Sequence, residues 1–179
     1  MEFSINATGD VFSTILKRRS IDSYDTDKIS KEEIEIILCA AMHAPSYRNR
    51  QPWQFIVLTD PPYVKQFCER IHDLLSIEAN TIIIICCDTS MDNKQEWWVQ
   101  DCSAATQNML LAACGLGLGS NWYGLHPVKQ RKERVRKYLS LPRNVQPFSL
   151  VTVGLPKNKA NELPKTSRYS SEKIHFNKW

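Results

Sequence analysis

The chain has 179 residues, of which 42% are hydrophobic and 23% charged, and its formal net charge is +4. This size suits one globular domain, because two domains of half the length would each be marginal, and the charge excess is too small to indicate nucleic-acid binding by itself. The longest apolar run, Ile82 to Cys87, is too short to span a bilayer, and residues 1–10 show no signal-peptide pattern. We therefore predict a cytoplasmic protein without a membrane partner.

Helical and strand patterns alternate along the first half of the chain. A short apolar helical turn at residues 11–16 comes first, and a capping box that begins at Ser30 then opens an amphipathic helix. Pro45 stops that helix. A short strand is predicted over residues 54–59, and a second amphipathic helix over residues 64–75.

The second half of the chain begins with a buried strand predicted over residues 81–87. An unusually apolar helix over residues 97–114 leaves little polar surface, as expected of a central helix that packs on several sides. Glycines end this helix. A strand over residues 120–125, a basic helix over 128–139 and a final strand over 148–154 follow.

The C-terminal segment, residues 155–179, has no strong periodicity. Its apolar residues Ile174, Phe176 and Trp179 stand among polar neighbours, which is hard to explain in a self-contained globule. An arm that packs on a second copy of the chain would explain them, and a frayed tail is the alternative.

The cysteines and histidines give no sign of a metal site. The six cysteines lack C-x-x-C spacing, and most fall in apolar patterns where a thiol behaves as a small hydrophobic group. The four histidines show no metal-ligand spacing. We therefore predict no metal ligand.

A polar, proline-broken segment at residues 45–53 lies between the first long helix and the first strand. It reads Pro-Ser-Tyr-Arg-Asn-Arg-Gln-Pro-Trp. Amide, hydroxyl and guanidinium groups at this density, on a loop held by rigid elements, can form many directed hydrogen bonds with one planar, heteroatom-rich ligand. The segment is therefore predicted to be a binding loop.

A second polar element, Arg18-Arg19-Ser20, follows the first helical turn. Two guanidinium groups and a hydroxyl suit a phosphate dianion, and Lys165 and Arg168 could join them in space. Taken alone, the same residues could equally be a solvated basic helix end that the helix dipole favours.

Together, the Arg-Arg-Ser element and the Pro-Ser-x-x-Asn-x-Gln-Pro-Trp loop resemble the FMN-dependent nitroreductase family. Residues 101–124 look like that family's central dimer helix and the strand after it. The resemblance implies an α+β, nitroreductase-like fold with a central, mostly antiparallel sheet flanked by helices. It also implies an intertwined homodimer in which residues 1–179 form a single domain and residues 155–179 pack on the partner subunit.

The resemblance implies two FMN sites at the dimer interface. Side chains of the binding loop would reach the isoalloxazine edge and ribityl chain of a flavin held mainly by the other subunit. The backbone at Tyr123 and Gly124 would lie against the pyrimidine ring and N5, while Pro52 and Trp53 fix the loop on the core. The implied cofactor-binding residues are Arg18, Arg19, Ser20, Pro45, Ser46, Asn49, Gln51, Tyr123, Gly124, Lys165 and Arg168.

The implied chemistry is a ping-pong reaction. NADH or NADPH reduces the flavin, and a small-molecule acceptor such as a nitroaromatic or quinone then reoxidises it, so no side chain is predicted as catalytic acid or base. Alternatives are a relative specialised for flavin or a halogenated aromatic, and a flavin-binding protein without turnover. A nucleic-acid module would rest only on the basic run at residues 129–137, for which a solvated helix face is the commoner meaning.

One position departs from the family pattern. Two residues after the Ser of Arg-Arg-Ser the family usually has Arg or Lys, which stabilises negative charge at N1 and O2 of the reduced flavin, and here the residue is Asp22. An anion there would lower the flavin potential unless a cation offsets it. Our hypothesis is that Arg48 or Arg50 replaces the missing cation.

Overall fold

The structure, a computed structural model, describes residues 11–91, 97–157 and 169–179. Its centre is a four-stranded sheet made of β1 (Trp53–Leu58), β2 (Thr81–Asp88), β3 (Gly119–Gly124) and β4 (Val145–Gly154). The strands lie in the order β1-β2-β4-β3, and each neighbouring pair is antiparallel. The prediction of an α+β fold with a mostly antiparallel sheet is confirmed.

Five α-helices accompany the sheet within the described residues: α1 (Val11–Lys17), α2 (Lys31–Met42), α3 (Pro61–Ile71), α4 (Trp98–Gly115) and α5 (Lys129–Tyr138). The capping box of α2 is formed, since Ser30 Oγ accepts from the Glu33 N–H at 3.1 Å and the Glu33 carboxylate accepts from the Ser30 N–H at 2.7 Å. Prolines occupy the first positions of α3, where a missing N–H costs no intrahelical bond.

The apolar core forms one layer on each face of the sheet. Residues 81–87 of β2 are buried throughout, which explains why this strand is a continuous apolar run and not an alternating pattern. Its odd-numbered residues Ile83 and Ile85 belong to the cluster that includes α2 and α4. The even-numbered Ile82 and Ile84 belong to the cluster that includes α3 and α5.

The most buried thiols belong to this core. Burial raises the pKa of the Cys86 thiol to about 12. A hydrogen bond with Cys87, together with burial, raises the pKa of the Cys102 thiol well above its usual range. Both groups are therefore protonated near neutral pH and pack as small apolar side chains.

Within residues 11–91, 97–157 and 169–179, no helix combines the length and apolar character needed to cross a membrane. The same ranges contain no cluster of three or more His, Cys, Asp or Glu side chains that could hold a metal ion.

The segment after α1 runs along the free edge of the sheet. Ser20 forms a parallel bridge with Ser120 in β3, and the Ile21 N–H donates to the Ser120 carbonyl at 2.9 Å. Tyr24 is buried, and its hydroxyl lies 2.7 Å from Thr152 Oγ1 in β4. These contacts hold the predicted phosphate-binding element beside the start of β3.

Two glycines that face each other across β3 and β4 make room for this segment. Gly119 pairs with Gly154. A Cβ atom on Gly119 would lie 2.8 Å from the Ile21 side chain, and a Cβ atom on Gly154 would lie 2.9 Å from the Tyr24 ring. The absence of both side chains lets the segment approach the sheet closely.

Candidate functional site

The binding loop, residues 45–53, is anchored to the start of α4. The Tyr47 N–H donates to Asp101 Oδ1 at 2.9 Å, and Asp101 is only 7% exposed. At the other end of the loop Pro52 is buried, and its carbonyl accepts from the Asp88 N–H at 2.8 Å. The polar middle of the loop is therefore held between two fixed points.

Backbone strain is concentrated in the middle of the loop. Arg48, Asn49 and Gln51 have φ values of 52°, 55° and 51°. Asn tolerates this left-handed conformation, whereas Arg and Gln rarely adopt it, and each such residue costs on the order of 1–3 kcal/mol. The surrounding contacts must offset this cost, and strain of this kind is concentrated at functional sites.

Internal hydrogen bonds orient the predicted ligands. The Gln51 N–H donates to Ser46 Oγ at 3.0 Å, and Gln51 Nε2 donates to Asn49 Oδ1 at 2.9 Å. This arrangement leaves Asn49 Nδ2 as a donor and Gln51 Oε1 as an acceptor. Asn49 and Gln51 are exposed, as is Pro45 at the start of the loop.

The Arg-Arg-Ser element lies at the end of α1. Arg18 and Arg19 are half-buried, and Ser20 is exposed. Arg19 Nη1 donates to the carbonyls of Leu16 and Arg18 at 2.7 and 2.9 Å. Arg19 thus partly closes its own helix end, which agrees with the alternative left open by the sequence, but its guanidinium has further donors for a ligand.

Within one chain, the Arg-Arg-Ser element and the binding loop lie at opposite ends of α4. Asp101 lies in the first turn of α4 and holds the loop. Cys114 lies next to the last residue of α4, and its Sγ is 3.8 Å from the carbonyl oxygen of Thr14 in α1. These two α4 residues are 13 positions apart, which is roughly 20 Å along a helix. A single protomer therefore does not bring the two sets of predicted ligands together.

Tyr123 and Gly124 end β3, on the same edge of the sheet as Ser20. Arg131 Nη1 donates to the Gly124 carbonyl at 2.9 Å. A Cβ atom on Gly124 would meet one neighbour, the His126 carbonyl oxygen, at 3.7 Å. The backbone here is open to close approach by a ligand while Arg131 fixes its orientation.

Asp22 lies close enough to Tyr123 to affect its ionisation. Burial raises the pKa of the Tyr123 hydroxyl, and the negative charge of Asp22 raises it further. The ion pairs formed within the described part of the chain do not include Asp22. The guanidinium groups of Arg48 and Arg50 lie over the Tyr47 ring instead. Their role as cations that replace the one missing at Asp22 stays a prediction.

Lys165 and Arg168, which were also predicted to bind the cofactor, lie outside the described residues.

The three arginines of the basic run in α5 contact other parts of the same chain. Besides the contact of Arg131 with Gly124, Arg134 pairs with Asp73 at 3.0 Å. Arg136 donates to the Pro142 carbonyl at 2.7 Å. These intramolecular contacts weaken the nucleic-acid interpretation of the run.

Two residues that position the site were not identified from the sequence. Asp101 had one signal, an acidic side chain in the first turn of an otherwise apolar helix. Arg131 had none, because nothing local distinguishes it from the other basic residues of α5. The partner of Asp101 is Tyr47, which lies 54 positions earlier in the chain. The partner of Arg131 is Gly124, the last residue of the preceding strand β3.

Residues 15–82 and 77–155 match the model of the nitroreductase family. The chain belongs to this family. Over 167 residues this nitroreductase is 42% identical to a protein of Archaeoglobus fulgidus that is provisionally named NADH dehydrogenase/NAD(P)H nitroreductase, with 92% of this chain and 96% of that one covered. Nitroreductases of this family are oxidoreductases, so the predicted family and enzyme class are confirmed.

Solved structures agree with this assignment. A crystal structure from Parabacteroides distasonis, with the same provisional name, superposes with a TM-score of 0.84 and 36% identity, covering 96% of this nitroreductase and 99% of that chain. An FMN-dependent nitroreductase from Clostridium difficile superposes with a TM-score of 0.81 and 26% identity, covering 94% and 99%.

Proposed function

We propose that this nitroreductase binds FMN, takes reducing equivalents from NADH or NADPH, and passes them to small electron-poor acceptors such as nitroaromatics or quinones in a ping-pong reaction. The bound flavin supplies the hydride chemistry, and the protein binds, orients and tunes it. The observation that carries the proposal is the strained loop at residues 45–53, whose side-chain amides are already oriented by internal hydrogen bonds.

The residues present fit an isoalloxazine ring. The Asn49 Nδ2 donor and the Gln51 Oε1 acceptor complement a ring edge on which C=O and N–H groups alternate. The absence of a side chain at Gly124 leaves its backbone open to close approach by such a ring. Arg18 and Arg19, with Lys165 and Arg168, are the proposed contacts of the phosphate.

The separation of these residues supports a site formed between two protomers. The Arg-Arg-Ser element of one protomer and the binding loop of its partner would complete one FMN site, because within each chain these two elements lie at opposite ends of α4. No residue of α1 is buried. Phe176 is 84% exposed and Trp179 fully exposed. Exposed apolar surfaces of this kind are typical of an interface, so we assign residues 155–179 as an arm on the partner.

Replacing Phe176 and Trp179 together by Ser is expected to shift the protein from dimer to monomer and to weaken FMN binding, because the variant loses apolar area at the interface. Sedimentation velocity and FMN titration measure the two effects. Tyr63→Ser is the matched control, since Tyr63 is a 62% exposed aromatic residue on α3. A Phe176→Ser/Trp179→Ser dimer with normal FMN affinity would contradict the proposed interface.

The reductase activity has a direct spectroscopic test. The protein saturated with FMN should lose its flavin absorbance when NADH or NADPH is added without oxygen, and a nitroaromatic or quinone should then restore it. Absence of bleaching with either nucleotide would disprove the proposed reductase.

Asp22 favours a second candidate, a flavin-binding protein without turnover. The negative charge of Asp22 raises the pKa of the Tyr123 hydroxyl. An anion near the pyrimidine end of the flavin would make reduction of the flavin less favourable. The same experiment separates the two candidates, because a passive binder would hold FMN but stay oxidised in the presence of both nucleotides.

A further inference from the structure

Two guanidinium groups and two aromatic rings form a cluster between the binding loop and the start of α4. The ring of Tyr47 stacks on Trp97, with centroids 5.3 Å apart and planes inclined by 17°. The guanidinium carbons of Arg48 and Arg50 lie 5.2 and 5.6 Å from the centroid of the Tyr47 ring. Both cations are therefore within cation–π distance of one ring.

The backbone of Arg48 is strained, and the side chain of Arg50 is tethered. Arg48 has a left-handed backbone with φ 52° and ψ 28°, a conformation that a non-glycine residue adopts only at a cost. Arg50 Nη1 donates to the Met91 carbonyl at 2.9 Å. The Tyr47 backbone that carries the shared ring is held by the buried Asp101 carboxylate.

Within the described part of the chain, neither Arg48 nor Arg50 forms an ion pair with a carboxylate at 4.0 Å or less. The ion pairs found there involve other cations, namely Lys31, Lys65, Lys129 and Arg134. Two like charges on one ring repel each other. An anionic ligand would relieve the repulsion, and a guanidinium can donate two parallel hydrogen bonds to two oxygens of a carboxylate or phosphate.

The cation pair alternates along the chain with the proposed flavin ligands Ser46, Asn49 and Gln51. We propose that Arg48 and Arg50 form an anion-binding rim of the active site, so that this nitroreductase prefers a ligand that carries a carboxylate or phosphate. This inference rests on the proposed function. The anion belongs either to the acceptor, as in an aromatic carboxylate, or to the reductant, as in the additional phosphate of NADPH.

The acceptor is tested by calorimetric titration of the oxidised, FMN-saturated protein with para-nitrobenzoate and with its neutral analogue para-nitrobenzamide. No turnover is needed. Wild-type protein should bind the carboxylate about 10- to 100-fold more tightly, as expected for hydrogen bonds to a charged group. Arg48→Gln/Arg50→Gln should lose this preference, so that the carboxylate and the amide bind with similar affinity.

The reductant is tested by comparing kcat/KM for NADPH and NADH in the same proteins. A preference for NADPH of about tenfold or more that disappears in the double Gln variant would assign the anion to the nucleotide. A preference for para-nitrobenzoate over para-nitrobenzamide that disappears in the double Gln variant would assign the anion to the acceptor.

Two further variants make the result specific. Arg143→Gln removes an exposed arginine outside the loop and should keep every preference of wild type. Arg48→Lys/Arg50→Lys keeps the charge and should retain part of the preference, in a manner that salt weakens. The proposal is overturned if wild type shows no preference for either anion, or if the preference persists in the double Gln variant. Failure of the proposed function itself would appear separately, as a protein that does not bind FMN or is not reduced.

Discussion

Asp101→Ala is expected to weaken FMN binding by about 10- to 100-fold, the range that corresponds to loss of a hydrogen bond to a charged group. The buried Asp101 carboxylate accepts the Tyr47 N–H at 2.9 Å. Without it, the binding loop loses an anchor, and the strained conformations of Arg48 and Gln51 can relax. Ser46, Asn49 and Gln51 would then no longer be oriented in advance, and FMN binding would have to order them.

The measurement is a titration of FMN into the purified protein, followed by flavin fluorescence. Asp101→Asn is the matched control, because it keeps an oxygen acceptor of the same shape and loses only the charge. Its affinity should lie between those of wild type and Asp101→Ala. Equal FMN affinity in all three proteins would show that the contact between Asp101 and Tyr47 does not support the site.

Gly154→Ala is expected to destabilise the protein by about 1–3 kcal/mol, the usual cost of inserting a methyl group into a packed core. The new Cβ atom would lie 2.9 Å from the ring of buried Tyr24, and relief requires moving the segment that contains Ser20. The midpoint of thermal unfolding should fall by roughly 2–4 °C for each kcal/mol lost. FMN affinity should also fall, because Arg18 and Arg19, the proposed contacts of the phosphate, directly precede Ser20 and would move with this segment.

Gly115→Ala provides the control for this prediction. Gly115 is the last residue of α4, and a Cβ atom there would meet nothing within 4 Å. This substitution should leave the unfolding midpoint unchanged or raise it slightly, since Ala is the better helix former. If both substitutions have the same effect, close packing at Gly154 does not stabilise the edge segment.

Much of the fold follows from local sequence patterns. The capping box at Ser30 identifies the start of α2, because its two hydrogen bonds join residues only three positions apart. The apolar run of β2 predicts a strand buried on both faces. The location of the binding loop also follows from a local pattern, because an amphipathic helix changes there into a polar, proline-broken segment.

Local patterns therefore predict most of the helices and strands, the family resemblance and the loop at residues 45–53. The tertiary structure brings these parts together: Tyr24 packs on the facing glycines of β3 and β4, and Asp101 holds the backbone of Tyr47. It also placed the Arg-Arg-Ser element and the loop at opposite ends of α4. These contacts join residues that lie far apart along the chain, so they depend on how the elements pack against each other, which no local pattern of residues records.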